Sequence, residues 1–469
     1  MSAANARLIE AHTAVEQALE ASRADNCIVI VEEASEAELR FANNTVTTNG
    51  TRRERAMSVI VFRETDQGTA VGTASSSSGA TDPIALVRRA EANAATAPPA
   101  EDAAPLVTAS QSVHLGEFSE PPVMTGLGGL GDVLTSLGDA FERAASRGVK
   151  LAGFAEHSVS TVYLGSSTGL RLRHAEPTGK LEVVARADGG ARSAWAATGA
   201  EDLATVHVEE LTERLDRRLA WGERKIDLEA GRYEVILPPE AVADLVVMLG
   251  ESTSGREAEE GRSVFSAPGG GTRVGESLSS FPFSLRSDPF EPGLESSPFL
   301  VTSVSGQDVS VFDNGLPIGR NEWISQGRLS RLQYHRAAAA RSGVEPATFA
   351  NNLTLELPGA TSSLDDLVSR TERGLLLTCL WYIREVDPAT LLLTGLTRDG
   401  VYLVEHGEIV GSVNNFRFNE SPVDLLSKTI EAGRTERALS REWNEWLNRT
   451  AMPPLRVAEF NMSSVSPAT

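Results

Sequence analysis

The hydrophobic pattern of the chain changes period most clearly within residues 233–265. Residues 233–237 alternate in a β-favouring run, which predicts a strand. Pro238 and Pro239 end that run, and Pro239 suits the first turn of a helix. The next apolar positions share the i, i+3, i+4, i+7 spacing of one helix face: Val242, Leu245, Val246 and Leu249. The pattern therefore predicts a strand, a turn and a helix, followed by a polar loop and a second strand.

The N-terminal part begins with a helical pattern and continues with period-two patterns. Residues 3–21 place apolar groups on one helix face, whereas residues 27–74 alternate in four short runs that are typical of strands. The dipeptide Asn49-Gly50 predicts a two-residue hairpin turn. Residues 149–187 alternate again, which indicates further strands.

A boundary between two halves of the chain is predicted after an amphipathic helix at residues 207–222. A charge-rich stretch at 222–231 follows, and fresh strand periodicity begins beyond it. We therefore expect an N-terminal domain over 1–222 and a C-terminal domain over 231–469, each long enough for its own core.

The charge balance argues against several classes of partner. The 469 residues include 43 basic and 64 acidic side chains, a net charge of −21. Duplex nucleic acid and anionic membranes both require a basic surface, so neither is expected as a partner. No apolar run approaches the roughly 20 residues of a membrane span, and no signal peptide is evident. We expect a cytoplasmic protein.

Short catalytic motifs in the chain lack the context that their chemistry needs. Gly165 to Gly169 match the G-x-S-x-G nucleophile elbow, but the flanks read as two strands, which predicts a hairpin turn instead. Cys27 and Cys379 lie in apolar β-like runs, where cysteine commonly serves as a small core residue and a disulfide is not expected. No catalytic residue, metal ligand or cofactor site is predicted from the residues alone.

Four stretches of the chain resemble the TldD/PmbA family. They are GRYEVILPPEAVADLV at 231–246, GRSVF at 261–265, NNLTLELPG at 351–359 and GVYLVEHGEIVGSV at 400–413. The resemblance implies an α+β fold, with a mixed α/β N-terminal domain and a β-rich C-terminal domain. The period-two runs agree with both domains.

The resemblance also directs attention to the helix predicted after Pro239. Zinc-bearing members of the family carry H-E-x-x-x-H there, in which two histidines hold zinc and the glutamate activates water. Counting back from Ser263-Val264-Phe265 places the motif at residues 246–251, where this chain has Val246, Val247 and Glu251 in place of His, Glu and His. The motif occurs nowhere else in the chain, and no cysteine follows Cys379 to complete a site. The chain therefore resembles the TldE/PmbA type of subunit, which lacks the zinc motif.

The function implied by this resemblance is that of the non-catalytic subunit of a two-component zinc metallopeptidase that degrades or trims peptides. The expected partner is a TldD-like subunit that carries the zinc, so that this chain itself holds no cofactor and shapes the cleft for a peptide substrate. The alternative is a peptide or metabolite binding protein that acts without an enzymatic partner. An independent enzyme with another constellation is also open, although no Ser/His/Asp or Cys/His set has a convincing context.

Two aromatic segments are candidates for the partner surface. Residues 281–299 contain four phenylalanines among prolines, and Phe283 and Phe290 are the predicted contacts. The same phenylalanines could instead form a small core beneath the loop. Trp443 and Trp446, on a predicted short helix, are the second candidate, and docking of this helix on the chain's own body is the alternative.

Overall fold

The computed structural model describes residues 9–77, 82–113 and 116–467. Within these residues the α-helices are α1 (Ala11–Ala21), α2 (Pro83–Thr96), α3 (Gly131–Ser146), α4 (Val208–Trp221), α5 (Pro239–Glu251), α6 (Gly255–Glu259), α7 (Arg336–Ser342), α8 (Leu364–Ser369) and α9 (Pro422–Ser427). Helix α1 covers the predicted helix from residue 11 onward, and residues 3–8 of that prediction lie outside the described residues. None of the described helices is both long enough and apolar enough to cross a membrane.

The N-terminal half is built on one antiparallel sheet of six strands. Its strands are β1 (Asn26–Ala42), β2 (Thr45–Thr65), β3 (Gly68–Ser76), β4 (Lys150–Ser166), β5 (Arg171–Ala187) and β6 (Arg192–Ala200). They lie in the order β3-β2-β1-β4-β5-β6. Helices α1 and α2 pack against β1, β2 and β3, whereas α3 and α4 pack against β4, β5 and β6. Successive side chains of a strand point to opposite faces of the sheet. The apolar residues that pack under the helices therefore occupy alternate positions along each strand.

The hairpin between β1 and β2 corrects one prediction. Asn49 and Gly50 lie inside β2, opposite Leu39 and Glu38 of β1, so the predicted turn at this dipeptide is wrong. The turn is at Asn43 and Asn44, whose φ angles are 50° and 60°. Asparagine tolerates this left-handed region better than most residues, and two such residues in succession give the twist that a tight hairpin requires.

The turn between β4 and β5 confirms another prediction. The G-x-S-x-G match falls at this turn, and Gly169 has a φ of 93° there. The serine at the nucleophile position, Ser167, donates a 3.0 Å hydrogen bond to Oδ1 of Asn26. The segment is therefore a strand-to-strand connection and lacks the strand-to-helix geometry of a nucleophile elbow.

The C-terminal half contains sixteen strands among the described residues. They are β7 (Lys225–Ile226), β8 (Gly231–Leu237), β9 (Ser284–Ser287), β10 (Asn321–Ser325), β11 (Arg328–Leu329), β12 (Leu353–Glu356), β13 (Arg373–Leu377), β14 (Leu380–Asp387), β15 (Leu392–Thr397), β16 (Val401–Glu405), β17 (Glu408–Val413), β18 (Phe416–Glu420), β19 (Thr429–Ala432), β20 (Glu436–Ala438), β21 (Thr450–Met452) and β22 (Leu455–Val465). Six form a sheet in the order β11-β10-β9-β12-β21-β20. The other ten follow the order β14-β15-β18-β22-β8-β13-β16-β17-β7, with β19 paired to β22.

The largest core lies between these two sheets and includes α5. Helix α5 packs against β12, β20 and β21 on one side and against β8 and α9 on the other. The helices and sheets together give an α+β fold, which confirms the predicted class. Residues up to Trp221 belong to the first sheet and its helices, and the strands from Lys225 onward join the other two sheets.

The two halves also pack directly on each other. The face of the first sheet that the helices leave free carries Phe62, whose ring lies 4.9 Å from the ring of Phe312 in the C-terminal half. Arg449 extends this contact with a 2.8 Å ion pair to Glu176 of β5. Arg449 is only 3% exposed, so the pair is well shielded from water and holds the halves in one arrangement.

Candidate functional site

Helix α5 is buried on nearly all sides. The predicted apolar face is confirmed, since Val242, Leu245, Val246 and Leu249 are fully buried. The opposite face is buried as well, so that of its thirteen residues only Met248 and Glu251 are partly exposed. A helix that is apolar all round belongs in a core. The prediction of a one-sided amphipathic helix therefore underestimated how deeply α5 lies.

The three positions that would carry the zinc motif have little metal-binding chemistry. Val246 and Val247 are 0% exposed and pack in the core between the two sheets. A valine side chain has no lone pair to offer a metal, and Glu251 supplies a single carboxylate. The described ranges contain no group of three or more His, Cys, Asp or Glu side chains that could hold a metal ion. The residues present therefore do not fit a zinc ion at this helix.

Glu251 belongs to a small acidic group at the end of α5. Burial raises its pKa to about 7, and the negative charge of Asp308 adds to the effect. Asp308 has its own pKa raised to about 6 by burial, although the Ser254 hydroxyl donates a 2.6 Å hydrogen bond to its Oδ1. Glu251 is thus an acid that is close to half protonated at neutral pH. Sequence reasoning missed Asp308, because it lies on a distant loop that carries no periodic signal.

We expect the Glu251 carboxyl to destabilise the fold as the pH rises. Its pKa is higher in the folded chain than the ordinary value of 4.5, so its contribution to stability is full below pH 4.5 and is lost as the pH approaches 7. Replacing Glu251 with glutamine should therefore change the free energy of unfolding differently at the two pH values. The change at pH 8 should be more stabilising than the change at pH 4.5 by on the order of 2 kcal/mol.

Denaturant unfolding of the wild type and the Glu251→Gln variant at both pH values measures this effect. Glu408→Gln, at an exposed position of β17, is the control and should show no such difference. An equal stability change for Glu251→Gln at both pH values would contradict the assignment.

Asp244 ties α5 to the C-terminal loop. This aspartate is 1% exposed, and one carboxylate oxygen accepts a 2.9 Å hydrogen bond from the backbone N–H of Glu442. Trp443 donates from its indole Nε1 to the backbone oxygen of Asp244 at 2.8 Å. Burial raises the pKa of Asp244 well above its usual range. The loop that carries Trp443 is therefore fixed on the central helix.

The two tryptophans of this loop differ in their surroundings. The segment forms turns, so the predicted short helix is wrong. Trp443 is partly buried against the core, as the alternative of docking on the chain's own body predicts, whereas Trp446 is 49% exposed. Their rings pack edge to face with centroids 6.1 Å apart, which orients Trp446 outward from an anchored neighbour.

Cys379 is an inert thiol in the core. Burial raises its pKa to about 12, and its Sγ lies 2.5 Å from Nη1 of Arg441. Arg441 also forms a 2.9 Å ion pair with Asp399 and lies over the ring of Trp381. Cys27 is buried too, and both cysteines are free, as expected for small core residues.

The phenylalanine-rich segment divides into core and surface residues. Phe283 is 0% exposed and contributes to the core between the two sheets, so its predicted role as a partner contact is wrong. Phe283 directly precedes β9, whose four residues are all buried, and its ring lies 6.0 Å from the ring of Phe281. Phe290 is 64% exposed, and its role as a partner contact stays a prediction.

Comparison with known families and structures gives consistent matches. The model of the PmbA/TldA metallopeptidase C-terminal domain matches residues 230–464, and that of PmbA/TldA metallopeptidase domain 1 matches residues 27–94. No protein of curated function matches the chain by sequence.

Three solved structures share the fold along almost the whole chain. TldE from Thermococcus kodakarensis superposes with a TM-score of 0.76 at 16% identity, covering 95% of this chain and 98% of that one. A candidate modulator of DNA gyrase from Thermotoga maritima gives 0.73 at 19% identity, with coverages of 93% and 95%. Another from Bacteroides thetaiotaomicron gives 0.72 at 14% identity, with coverages of 96% and 97%. At these identities the likeness concerns the fold.

Proposed function

The chain belongs to the TldD/PmbA metallopeptidase family, and we propose that it acts as the subunit without zinc in a two-component peptidase of the TldD/TldE type. The observation that carries the proposal is the environment of Val246 and Val247. Both are completely buried apolar residues at the positions where the zinc-bearing members carry His and Glu. A single carboxyl at Glu251 cannot replace that set of ligands.

The surroundings of α5 support a role in shaping a shared cleft. Glu442, which Asp244 anchors, accepts a 2.7 Å hydrogen bond from the backbone N–H of Tyr382 and pairs with Arg384 at 2.7 Å. Tyr382 lies on β14, the outermost strand of its sheet, and is 54% exposed. Helix α5, the loop that carries Glu442 and the edge strand β14 are thus connected by hydrogen bonds and an ion pair. An exposed edge strand can pair with a strand of another chain or with an extended peptide.

The role of the partner is to supply the metal and the reacting groups. A zinc-bearing relative with H-E-x-x-x-H would provide two ligands and the general base from one helix turn. This chain would contribute the walls that hold and exclude peptides. Exposed apolar side chains on its C-terminal half are available for such contacts, namely Phe290, Tyr382, Val386 and Trp446.

Metal analysis and peptidase assays of the separate and mixed subunits test the proposal. We expect the purified chain to hold no stoichiometric zinc and to cleave no peptide, whereas a zinc-bearing relative from the same genome should co-purify with it and gain activity on mixing. That relative, analysed in the same way, is the positive control for retained metal.

Two outcomes would overturn the proposal. About one tightly held zinc per chain in this subunit alone would contradict its non-catalytic role. Failure of any zinc-bearing relative to co-purify, together with binding of peptide by the isolated chain, would favour a binding protein that acts by itself.

A further inference from the structure

A cavity of about 270 Å³ opens between the two halves of the chain. On the N-terminal side it is lined by α4, including Arg214, Arg217, Arg218 and Trp221. On the C-terminal side it is lined by the start of α5 and by Arg437 of β20. Four guanidinium groups thus converge on one cavity in a chain whose net charge is −21. This local reversal of sign requires a physical explanation.

Acidic neighbours account for only part of this positive charge. Arg214 forms a 2.5 Å ion pair with Glu240, and Arg217 lies 3.8 Å from the well exposed Asp365. Glu436 also lines the cavity, but it pairs with Arg434 at 2.6 Å. The three carboxylates of the cavity thus pair with Arg214, Arg217 and Arg434, and none of them pairs with Arg218 or Arg437.

Arg218 is the least compensated of the four. Its side chain is 3% exposed, and Nη1 donates to the backbone oxygen of Trp195. No carboxylate of the described residues lies within ion-pair distance of its guanidinium group, and burial lowers its pKa, although the negative charge of Glu240 acts in the other direction. A buried cation without a counter-ion is costly, because it has lost its hydration without gaining an opposite charge.

Arg437, on the opposite wall, also lacks an ion-pair partner within the described ranges, although its side chain is exposed. Its Nη1 donates to the backbone oxygen of Gly293. Its pKa is lowered by burial and by the nearby Arg449, although Glu201 and Glu295 act in the other direction. Two cations from different halves of the chain therefore face one cavity without a direct counter-ion.

The rest of the lining is compatible with a bound anion that has an apolar part. Helix α5 starts at the cavity with Pro238 in the capping position, and no side chain caps its first turn. Its positive end adds to the field, and Glu240 of the same turn, which pairs with Arg214, opposes it. The Thr198 hydroxyl also lines the cavity, and Leu364, Leu376 and Leu439 form an apolar wall. The hydroxyls of Ser363 and Thr378 line it too, but they donate to Asp366 and to the backbone oxygen of Gly400.

We propose that this cavity between the two halves binds a small molecule that carries an oxyanion, a carboxylate or a phosphoryl group, with Arg218 and Arg437 as its direct partners. Guanidinium groups match either oxyanion with two parallel hydrogen bonds. The ligand would supply the missing counter-charge and would link α4 to β20 across the interface. This site is separate from the motif positions of α5, so it stands or fails independently of the peptidase assignment.

Calorimetric titration of the full chain at low ionic strength tests the proposal with three probes. Inorganic phosphate represents the phosphoryl group, N-acetyl-L-leucine the carboxylate with an apolar side chain, and N-acetyl-L-leucinamide the same shape without charge. At least one of the two anions should bind and raise the melting temperature, while the amide should not. The tighter anion identifies the source of the oxyanion.

Three arginine variants locate the binding. Arg218→Met and Arg437→Met should each weaken anion binding by tenfold or more, since each removes a charge-assisted hydrogen bond. Arg53→Met, at an exposed position of β2, removes the same charge far from the cavity and should leave binding unchanged. Without ligand, Arg218→Met leaves no carboxylate unpaired but loses the hydrogen bond to the Trp195 backbone oxygen, so its melting temperature is compared with and without anion.

Several results would overturn the proposal. Absence of heat and of a melting shift with both anions would exclude the site, and equal binding of the amide would indicate an apolar cavity alone. An equal loss of affinity in Arg53→Met would indicate general charge attraction. Should Arg218→Met fail to fold, Arg437→Met decides, and unchanged binding in that variant would refute the site.

Discussion

Replacing Phe283 with alanine should lower the free energy of unfolding by about 3–5 kcal/mol, the cost of truncating a phenylalanine in a packed core. Phe283 is completely buried between the two sheets of the C-terminal half, beside Phe281. Phe290→Ala is the matched variant from the same segment, and its ring is 64% exposed. It should change the stability by less than about 0.5 kcal/mol. Denaturant unfolding of both variants measures the contrast.

The same pair separates packing from partner binding. Phe290→Asp should fold as the wild type does and should reduce co-purification with a zinc-bearing relative, because a charge replaces an exposed aromatic group at a proposed contact. Phe283→Asp should lose folded protein before any binding is measured. Normal partner binding by Phe290→Asp would remove this loop from the interface and leave Trp446 and Tyr382 as the next surfaces to change. Comparable stability losses at both positions would contradict the division into core and surface.

Restoring the zinc motif in this chain should unfold it and should not create a peptidase. Val246→His and Val247→Glu place two polar groups in a fully buried apolar core, at a cost on the order of several kcal/mol each. The sum approaches the whole stability of a typical domain, about 5–15 kcal/mol. The further ligand and the groups that orient the histidines would still be absent. We therefore expect the triple variant, with Glu251→His added, to be insoluble or to melt far below the wild type.

Glu251→His alone is the control for this experiment. Position 251 is partly exposed at the end of α5, so the single variant should fold and hold no zinc. Circular dichroism melting and metal analysis of both variants give the comparison. A soluble triple variant that retains about one zinc per chain would show that the core around Val246 and Val247 can accommodate a metal site.

Local signals in the sequence predicted several elements correctly. The strand at 233–237, the break at Pro238 and the helix after Pro239 are present, because periodicity and proline act within a few residues of one another. The turn between β4 and β5 was predicted for the same reason. The hairpin at Asn49-Gly50 was not, because two asparagines earlier in the chain also tolerate the left-handed region and the pairing of β1 with β4 selects that turn.

Exposure was the property that local patterns could not give. Phe283 and Phe290 lie in one aromatic segment and look alike in sequence, yet one is in the core and the other on the surface. The acidic pair of Glu251 and Asp308 and the four arginines of the interdomain cavity join residues that are distant along the chain. Such groups acquire shifted pKa values or an uncompensated charge only where the fold removes water around them.

The sequence by itself determined the family, the α+β class and the absence of H-E-x-x-x-H, since these depend on residue identity and short-range order. The tertiary structure alone decided that Val246 and Val247 are completely buried in a core between two sheets. It also decided that burial raises the pKa of Glu251 at the end of α5. It also decided which aromatic side chains face outward and where Arg218 lacks a counter-ion. The reason is that burial, desolvation and ion pairing depend on how distant segments pack against each other. The local sequence around one residue does not identify the distant residue that it contacts.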